Sequence, residues 1–191
     1  MTRYILHGGQ TGLDCANNDN FFAGIAKNGT RILLCYFARS EDSWQDLAAE
    51  DMARIQDKAL DKEIEFMIAD MDDFTRQVEW ADSLYFRGGD GRLIRDVLIN
   101  AGLTKEMLAG KTVAGSSAGA NVFSRYYHDQ DYPAKIEEGL GFLPIKSITH
   151  YGQDSKYPAD YEKIKQELKD YQEDLEIITL PETEFVIKEI N

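Results

Sequence analysis

The sequence predicts an α/β protein built on a doubly wound, mostly parallel sheet with helices on both faces. Two observations carry this reading. Short apolar runs alternate with longer segments of helical periodicity from one end to the other, which is the pattern of βαβ units. Each glycine-rich segment directly follows an apolar run, where strand-to-helix loops fall in such a sheet. A length of 191 residues suits one well-buried domain spanning 1–191.

Taken in order, strands are expected at 3–7, 31–37, 63–69, 83–86, 111–115 and 147–150, each a short apolar run bounded by polar or glycine residues. Two further runs, 176–180 and 184–190, flank Pro181 and are expected to form a terminal hairpin or to extend the sheet edge. Between the strands, Phe21, Phe22 and Ile25 give segment 17–27 near-helical spacing. A second helix is expected within 40–62, where Ser40 or a neighbouring polar residue suits the N-cap, and a third over 72–81. A fourth covers 90–101 with Gly102 closing it, a fifth runs from Ser117 to about Tyr127, and a charged surface helix covers 156–171.

The formal charge of -13, from 21 basic and 34 acidic residues, argues against nucleic acid as a partner, because phosphate binding requires clustered Lys and Arg. No window approaches a membrane span, and residues 1–7 enter a strand without a leader pattern, so a cytoplasmic protein without membrane association is expected. Cys15 and Cys35 lack metal-ligand spacing, and buried reduced thiols are the expected state. Neither a metal nor an organic cofactor is implied. The assembly state is left open, a homodimer included.

The segment from Gly115 to Asn121 contains GxSxG between an apolar run and an amphipathic stretch. That context suits a sharp strand-to-helix turn presenting the Ser117 hydroxyl, with small flanking residues where the backbone doubles back. Gly8, Gly9 and Gly12 after the first strand, and Gly88, Gly89 and Gly91 after the fourth, would meet Ser117 on the same sheet rim. Serine needs a base, and the chain has three histidines: His7 at a strand end, His128 in a polar stretch expected to be a solvated loop, and His150 at a strand end. His150 is the expected base. Asp131 is the expected orienting carboxylate, with Asp129, Glu137 and Glu138 as competitors. The amides of Ala118 and of Gly88 or Gly89 would form an oxyanion hole. Arg87 and Asn121 are assigned to substrate binding, Arg87 as a bidentate partner for a carboxylate.

The ordered set His7–Gly9, the strand and loop reaching Gly88, Gly89 and Asp90, the elbow from Gly115 to Asn121, Gly139 and Gly141, and His150 with Tyr151 resembles the dipeptidase E and cyanophycinase family of serine peptidases. The resemblance spans most of the chain. It implies a class I glutamine amidotransferase-like, flavodoxin-like fold with serine in place of the nucleophilic cysteine, and carries the nucleophile onto Ser117 and the base onto His150. Gln130, Asp131, Tyr132 and Pro133 resemble the aspartate-bearing segment of dipeptidase E, and the late segment at 180–186 makes Glu182 a second candidate for orienting His150. The implied activity is hydrolysis of small peptides, as a dipeptidase or exopeptidase, with Asp-X and β-aspartyl dipeptides as the first substrates to examine. The long charged insertion that dipeptidase E carries after its histidine is absent. Two other readings stay open: a small-ester serine hydrolase, marked by activity on esters alone, and a noncatalytic amidotransferase-like binding module, marked by an unreactive Ser117.

Overall fold

Continuous apolar runs become central strands when both faces of a sheet are covered, and successive side chains then enter two separate cores. In β1 (Thr2–His7), β2 (Arg31–Cys35), β4 (Ser83–Phe86) and β5 (Thr112–Ser116) this alternation is regular. Tyr4, Leu6, Leu33, Cys35, Leu84, Phe86 and Val113 face one core, while Ile5, Ile32, Leu34, Tyr85 and Ala114 face the other. The computed structural model of the chain describes residues 1–129, 135–152 and 160–191.

Helices α1 (Ala16–Ile25) and α2 (Trp44–Asp57) cover the second face with Phe21, Phe22, Ile25, Ala48 and Ile55. Helices α3 (Phe74–Trp80), α4 (Gly91–Asn100) and the short α5 (Ala118–Asn121) cover the first. Full burial of each large aliphatic or aromatic side chain contributes about 1.5–3 kcal/mol, so these stripes dock the helices. Asp90 caps α4 by accepting hydrogen bonds from the amides of Arg92 and Leu93, both at 2.9 Å. Gly102 follows with φ of 68°, ending the helix in the left-handed region.

With β3 (Glu65–Ile68) and β10 (Phe185–Ile190), the main sheet has the order β10-β1-β5-β4-β2-β3. Every pairing is parallel except that of β10 with β1. A second sheet contains β6 (Ser124–Asp129), β7 (Lys135–Glu138), β8 (Leu143–Thr149) and β9 (Glu176–Leu180) in the order β7-β6-β8-β9, and α6 (Tyr161–Asp170) packs on it. The doubly wound α/β class is therefore as expected, with a second sheet added.

That sheet is where expectation and structure part. The fifth helix stops at Asn121 and does not reach Tyr127, because β6 begins at Ser124. The aromatic residues Tyr126 and Tyr127 favour a pleated, half-buried surface, and their backbone pairs with β7 and β8. His128 consequently lies buried on a strand, not in a solvated loop. The last two strands do not form a hairpin: β9 joins β8 in the second sheet, while β10 extends the edge of the first. No helix among the described residues is long and apolar enough to cross a membrane. Cys35 is a buried free thiol, whereas Cys15 is a half-buried one.

Candidate active site

β5 lies between β1 and β4, so the loops leaving these three parallel strands emerge side by side. Together with Arg39 after β2 and His150 after β8, they line a cleft of about 350 Å³ formed further by Gly9–Gly12, Arg87, Gly88, Gly89, Ser116 and Ser117. This is the carboxyl-end crevice in which an open α/β sheet binds its ligands.

Ser117 links β5 to α5 with φ of 51° and ψ of -119°, a conformation outside the regions open to ordinary residues. It is held there by its amide, which donates to the His7 carbonyl at 2.9 Å. The flanking glycines are required by close approach: a Cβ on Gly115 would lie 2.0 Å from the Gly119 carbonyl oxygen, and one on Gly119 would lie 2.0 Å from that of Phe86.

The second sheet supplies the other side chains. In the parallel pair β8/β9, Thr149 is opposite Leu180. One residue beyond that pair is His150, and two beyond it is Glu182. The imidazole Nε2 lies 2.8 Å from Ser117 Oγ, and Nδ1 lies 2.7 Å from Glu182 Oε1. A carboxylate can only accept, so Nδ1 carries the proton and Nε2 accepts the serine hydroxyl. His150 also has positive φ, 52°, and its backbone is fixed at both ends: its amide donates to the Gly8 carbonyl at 3.1 Å, and its carbonyl accepts the Tyr161 hydroxyl at 2.9 Å. The turn carrying Glu182 is tied to the first loop, with the Thr183 amide donating to the Gly9 carbonyl at 3.0 Å and the Gly8 amide to the Glu184 carbonyl at 2.9 Å.

Two backbone amides close to Ser117 in the fold are without an acceptor among the described residues. The first amides of a helix have no intrahelical acceptor, which leaves that of Ala118 available. The Gly88 amide donates to Ser116 Oγ at 3.2 Å, whereas that of Gly89 has no acceptor among the described residues. Of the two glycines, Gly89 is thus the one with a free donor.

Of the remaining sequence candidates that the structure describes, only Arg87 lines the cleft. Asp131 lies outside the described residues. Glu137 pairs with Arg92 and Glu138 with Arg125, both at 2.6 Å, and Asp129 is buried at the end of β6, beside Gly91. Asn121 is turned into the protein, donating to Thr149 Oγ1 at 3.0 Å and accepting from Ser147 Oγ at 2.8 Å, so it ties α5 to β8 and does not line the cleft. Arg87 does reach the cleft wall, but its guanidinium is held by Asp51 and Glu50, both at 2.9 Å. Burial lifts the Asp51 carboxyl to about 6, against the opposing pull of Arg87 and of the Tyr36 hydroxyl. His7 is fully buried; Nδ1 accepts the Gly9 amide at 3.0 Å and Nε2 pairs with Asn18 Oδ1 at 2.8 Å, so it braces the glycine loop. His128 is buried with its pKa lowered by desolvation, which Glu167 opposes. Arg39 was not among the sequence candidates, although it follows β2 by the same rim logic that singled out Gly88 and Ser117.

The sequence profile of peptidase family S51 matches residues 17–189. The chain belongs to peptidase family S51. Among solved structures, this S51 peptidase is similar to a peptidase from an acI-B1 Actinobacterium, with 23% identity, a TM-score of 0.69, and coverage of 98% of this chain and 83% of that one. It is also similar to a candidate peptidase E protein from Listeria monocytogenes EGD-e, with 16% identity, a TM-score of 0.62 and full coverage of both chains. At these identities the likeness speaks for the fold. Comparison with curated proteins returned no match.

Proposed function

We propose that this S51 peptidase hydrolyses small peptides by an acyl-enzyme mechanism in which Ser117 is the nucleophile, His150 the general base and acid, and Glu182 the residue that orients His150. One observation carries the reading: Ser117 Oγ, the His150 ring and Glu182 Oε1 form a continuous chain with contacts of 2.8 and 2.7 Å at the edge of the cleft.

In the first step Oγ attacks the scissile carbonyl carbon while Nε2 takes its proton. The resulting oxyanion is met by the Gly89 and Ala118 amides, and Glu182 stabilises the imidazolium. The tetrahedral intermediate collapses as the C–N bond breaks and Nε2 returns the proton to the leaving amine. Water then attacks the Ser117 ester with His150 again as base, which releases the carboxylic acid and restores the hydroxyl. The strained backbone at Ser117 and His150 fits a site held in reacting geometry by its surroundings.

The test is covalent labelling with a fluorophosphonate, with the adduct located by peptide mass spectrometry, followed by screening of dipeptides beginning with Asp-X and β-aspartyl peptides. Labelling of Ser117 that is lost in His150→Ala is the expected result. No labelling of the folded protein would overturn the nucleophile assignment and favour a binding module; labelling with turnover of esters but of no peptide would overturn the peptide specificity.

A further inference from the structure

We propose that Arg39 is a specificity-determining residue that pairs with a carboxylate of the substrate; this rests on the reading of the Ser117 cleft as a peptide site and names a chemical class for its ligands.

Among the described residues the cleft lining contains two arginines and no aspartate or glutamate, in a chain with 34 acidic residues against 21 basic ones. The arginines differ in what they can still do. Arg87 already has a carboxylate at each terminal nitrogen, from Asp51 and Glu50. Arg39 is exposed at the cleft and has no carboxylate partner among the described residues. Only its Nε is used, donating to the Gly88 carbonyl at 2.5 Å, so both terminal nitrogens are left without an acceptor among those residues.

The Nε bond also fixes where that charge stands. Gly88 touches the nucleophile, since a Cβ on it would lie 2.8 Å from Ser117 Cβ. The backbone beside Arg39 is clamped to the same loop by the Asp90 amide, which donates to the Ala38 carbonyl at 3.0 Å, and to α2 by Trp44 Nε1, which donates to the Arg39 carbonyl at 3.2 Å. The guanidinium is therefore anchored one residue from the proposed oxyanion donor at Gly89, within reach of a group on a residue next to the scissile bond. A planar cation held through Nε presents the terminal pair of donors that a carboxylate accepts in bidentate fashion. The described lining, without an acid, offers no counterpart for an ammonium group. The carboxylate could come from the peptide C-terminus or from an acidic side chain, and both present the same group to Arg39.

The experiment compares Ala-Ala, Ala-Ala amide and Asp-Ala amide. Hydrolysis is measured with the parent enzyme, Arg39→Gln and Arg39→Lys, and binding is measured by calorimetry with the same Arg39 variants in a Ser117→Ala background. Loss of one charge-assisted pair is worth about a ten- to hundredfold change, so Arg39→Gln should erase the preference for a carboxylate peptide over Ala-Ala amide by that factor, in KM and in binding. Arg39→Lys should restore part of it. A lost preference confined to Ala-Ala identifies the C-terminal carboxylate, and one confined to Asp-Ala amide identifies the acidic side chain. Equal losses on all three peptides, no loss on any, or no binding of any peptide by the Ser117→Ala protein would each overturn the proposal. Arg39-dependent binding without labelling of Ser117 in the parent would support the carboxylate site while overturning the peptidase mechanism.

Discussion

Gly9 and His150 are in contact in a way that leaves no room for a side chain: a Cβ at position 9 would lie 2.3 Å from Cε1 of the imidazole. Gly9 also has φ of 127°, which side chains rarely adopt. The contact crosses from the first strand of the main sheet to the end of a strand in the second, so it sets the ring position through two elements that are distant in sequence. Gly9→Ala should push the ring away from Ser117. A displacement of about 1 Å in such a group costs on the order of 100-fold in rate, and kcat should fall by at least that factor. Circular dichroism and thermal melting would check that the fold persists; a variant with parental kcat would show that His150 is positioned by other means.

Glu182, not Asp131, should govern the state of His150. Glu182→Gln keeps the size of the side chain but lets its amide donate toward Nδ1, which favours the wrong tautomer and removes the charge opposite the imidazolium. In a serine hydrolase that change lowers kcat by about 10³- to 10⁴-fold with little effect on KM. Asp131→Asn should stay within about threefold of the parent, because Nδ1 of His150 is already taken by Glu182 Oε1 at 2.7 Å. Steady-state kinetics on the two variants decides the matter, and the reverse ranking would return the role to Asp131.

Much of this arrangement was legible in the residues, and the exceptions have physical reasons. Buried parallel strands read as apolar runs ended by glycine or proline, which is why β4 and β9 fall where expected, and the glycines put Gly9, Gly89 and Ser117 on one rim. β6 falls within the amphipathic stretch after Ser117 that reads as helix, because the partners that make it a strand, β7 and β8, come later in the chain. Glu182 ranks behind Asp131 on local sequence. Its position follows from the register that pairs Thr149 with Leu180 and from the separation of the last two strands into different sheets, neither of which is local information. Arg87 and Arg39 could not be ranked without knowing that Glu50 and Asp51 on α2 face the former.

Acid should weaken the fold through His7. Burial pushes its pKa down to about 4 from 6.5, partly offset by the bond to Asn18 and reinforced by His150. The folded value is the lower one, so the unfolded chain binds the proton more readily in this window. The contribution of neutral His7 is fully present above pH 6.5 and is lost as pH falls toward 4, amounting to about 3 kcal/mol at the lower limit. Urea unfolding at pH 7.5, 6, 5 and 4.5 should show stability declining over that range, with the decline reduced in His7→Gln. His128, also shifted downward by burial, acts in the same direction and leaves a residual slope in the variant. An unchanged slope in His7→Gln would assign the acid sensitivity to other groups.

The base also depends on a buried lysine that never enters the cleft. Lys146 on β8 is fully buried, and its Nζ donates to the carbonyls of Leu168, Lys169 and Tyr171 at 2.7, 3.4 and 2.6 Å. These carbonyls lie at and just beyond the end of α6, where that of Leu168 also accepts the Tyr171 amide at 3.4 Å, so the ammonium works as a helix cap supplied by the sheet. The same helix begins with Tyr161, whose hydroxyl holds the His150 carbonyl. Lys146→Met keeps the volume of the stem but leaves the part-buried Lys169 and Tyr171 carbonyls without this donor and the Leu168 carbonyl with the Tyr171 amide at 3.4 Å, at a cost of about 1–3 kcal/mol for the first unbonded group. Amide exchange should therefore quicken in α6 while the main sheet keeps its protection. Because Tyr161 then loses its anchor, kcat should fall several-fold with KM nearly constant. Exchange that quickens throughout the molecule would instead make Lys146 a determinant of the whole fold, and unchanged exchange in α6 would remove it as the link between that helix and His150.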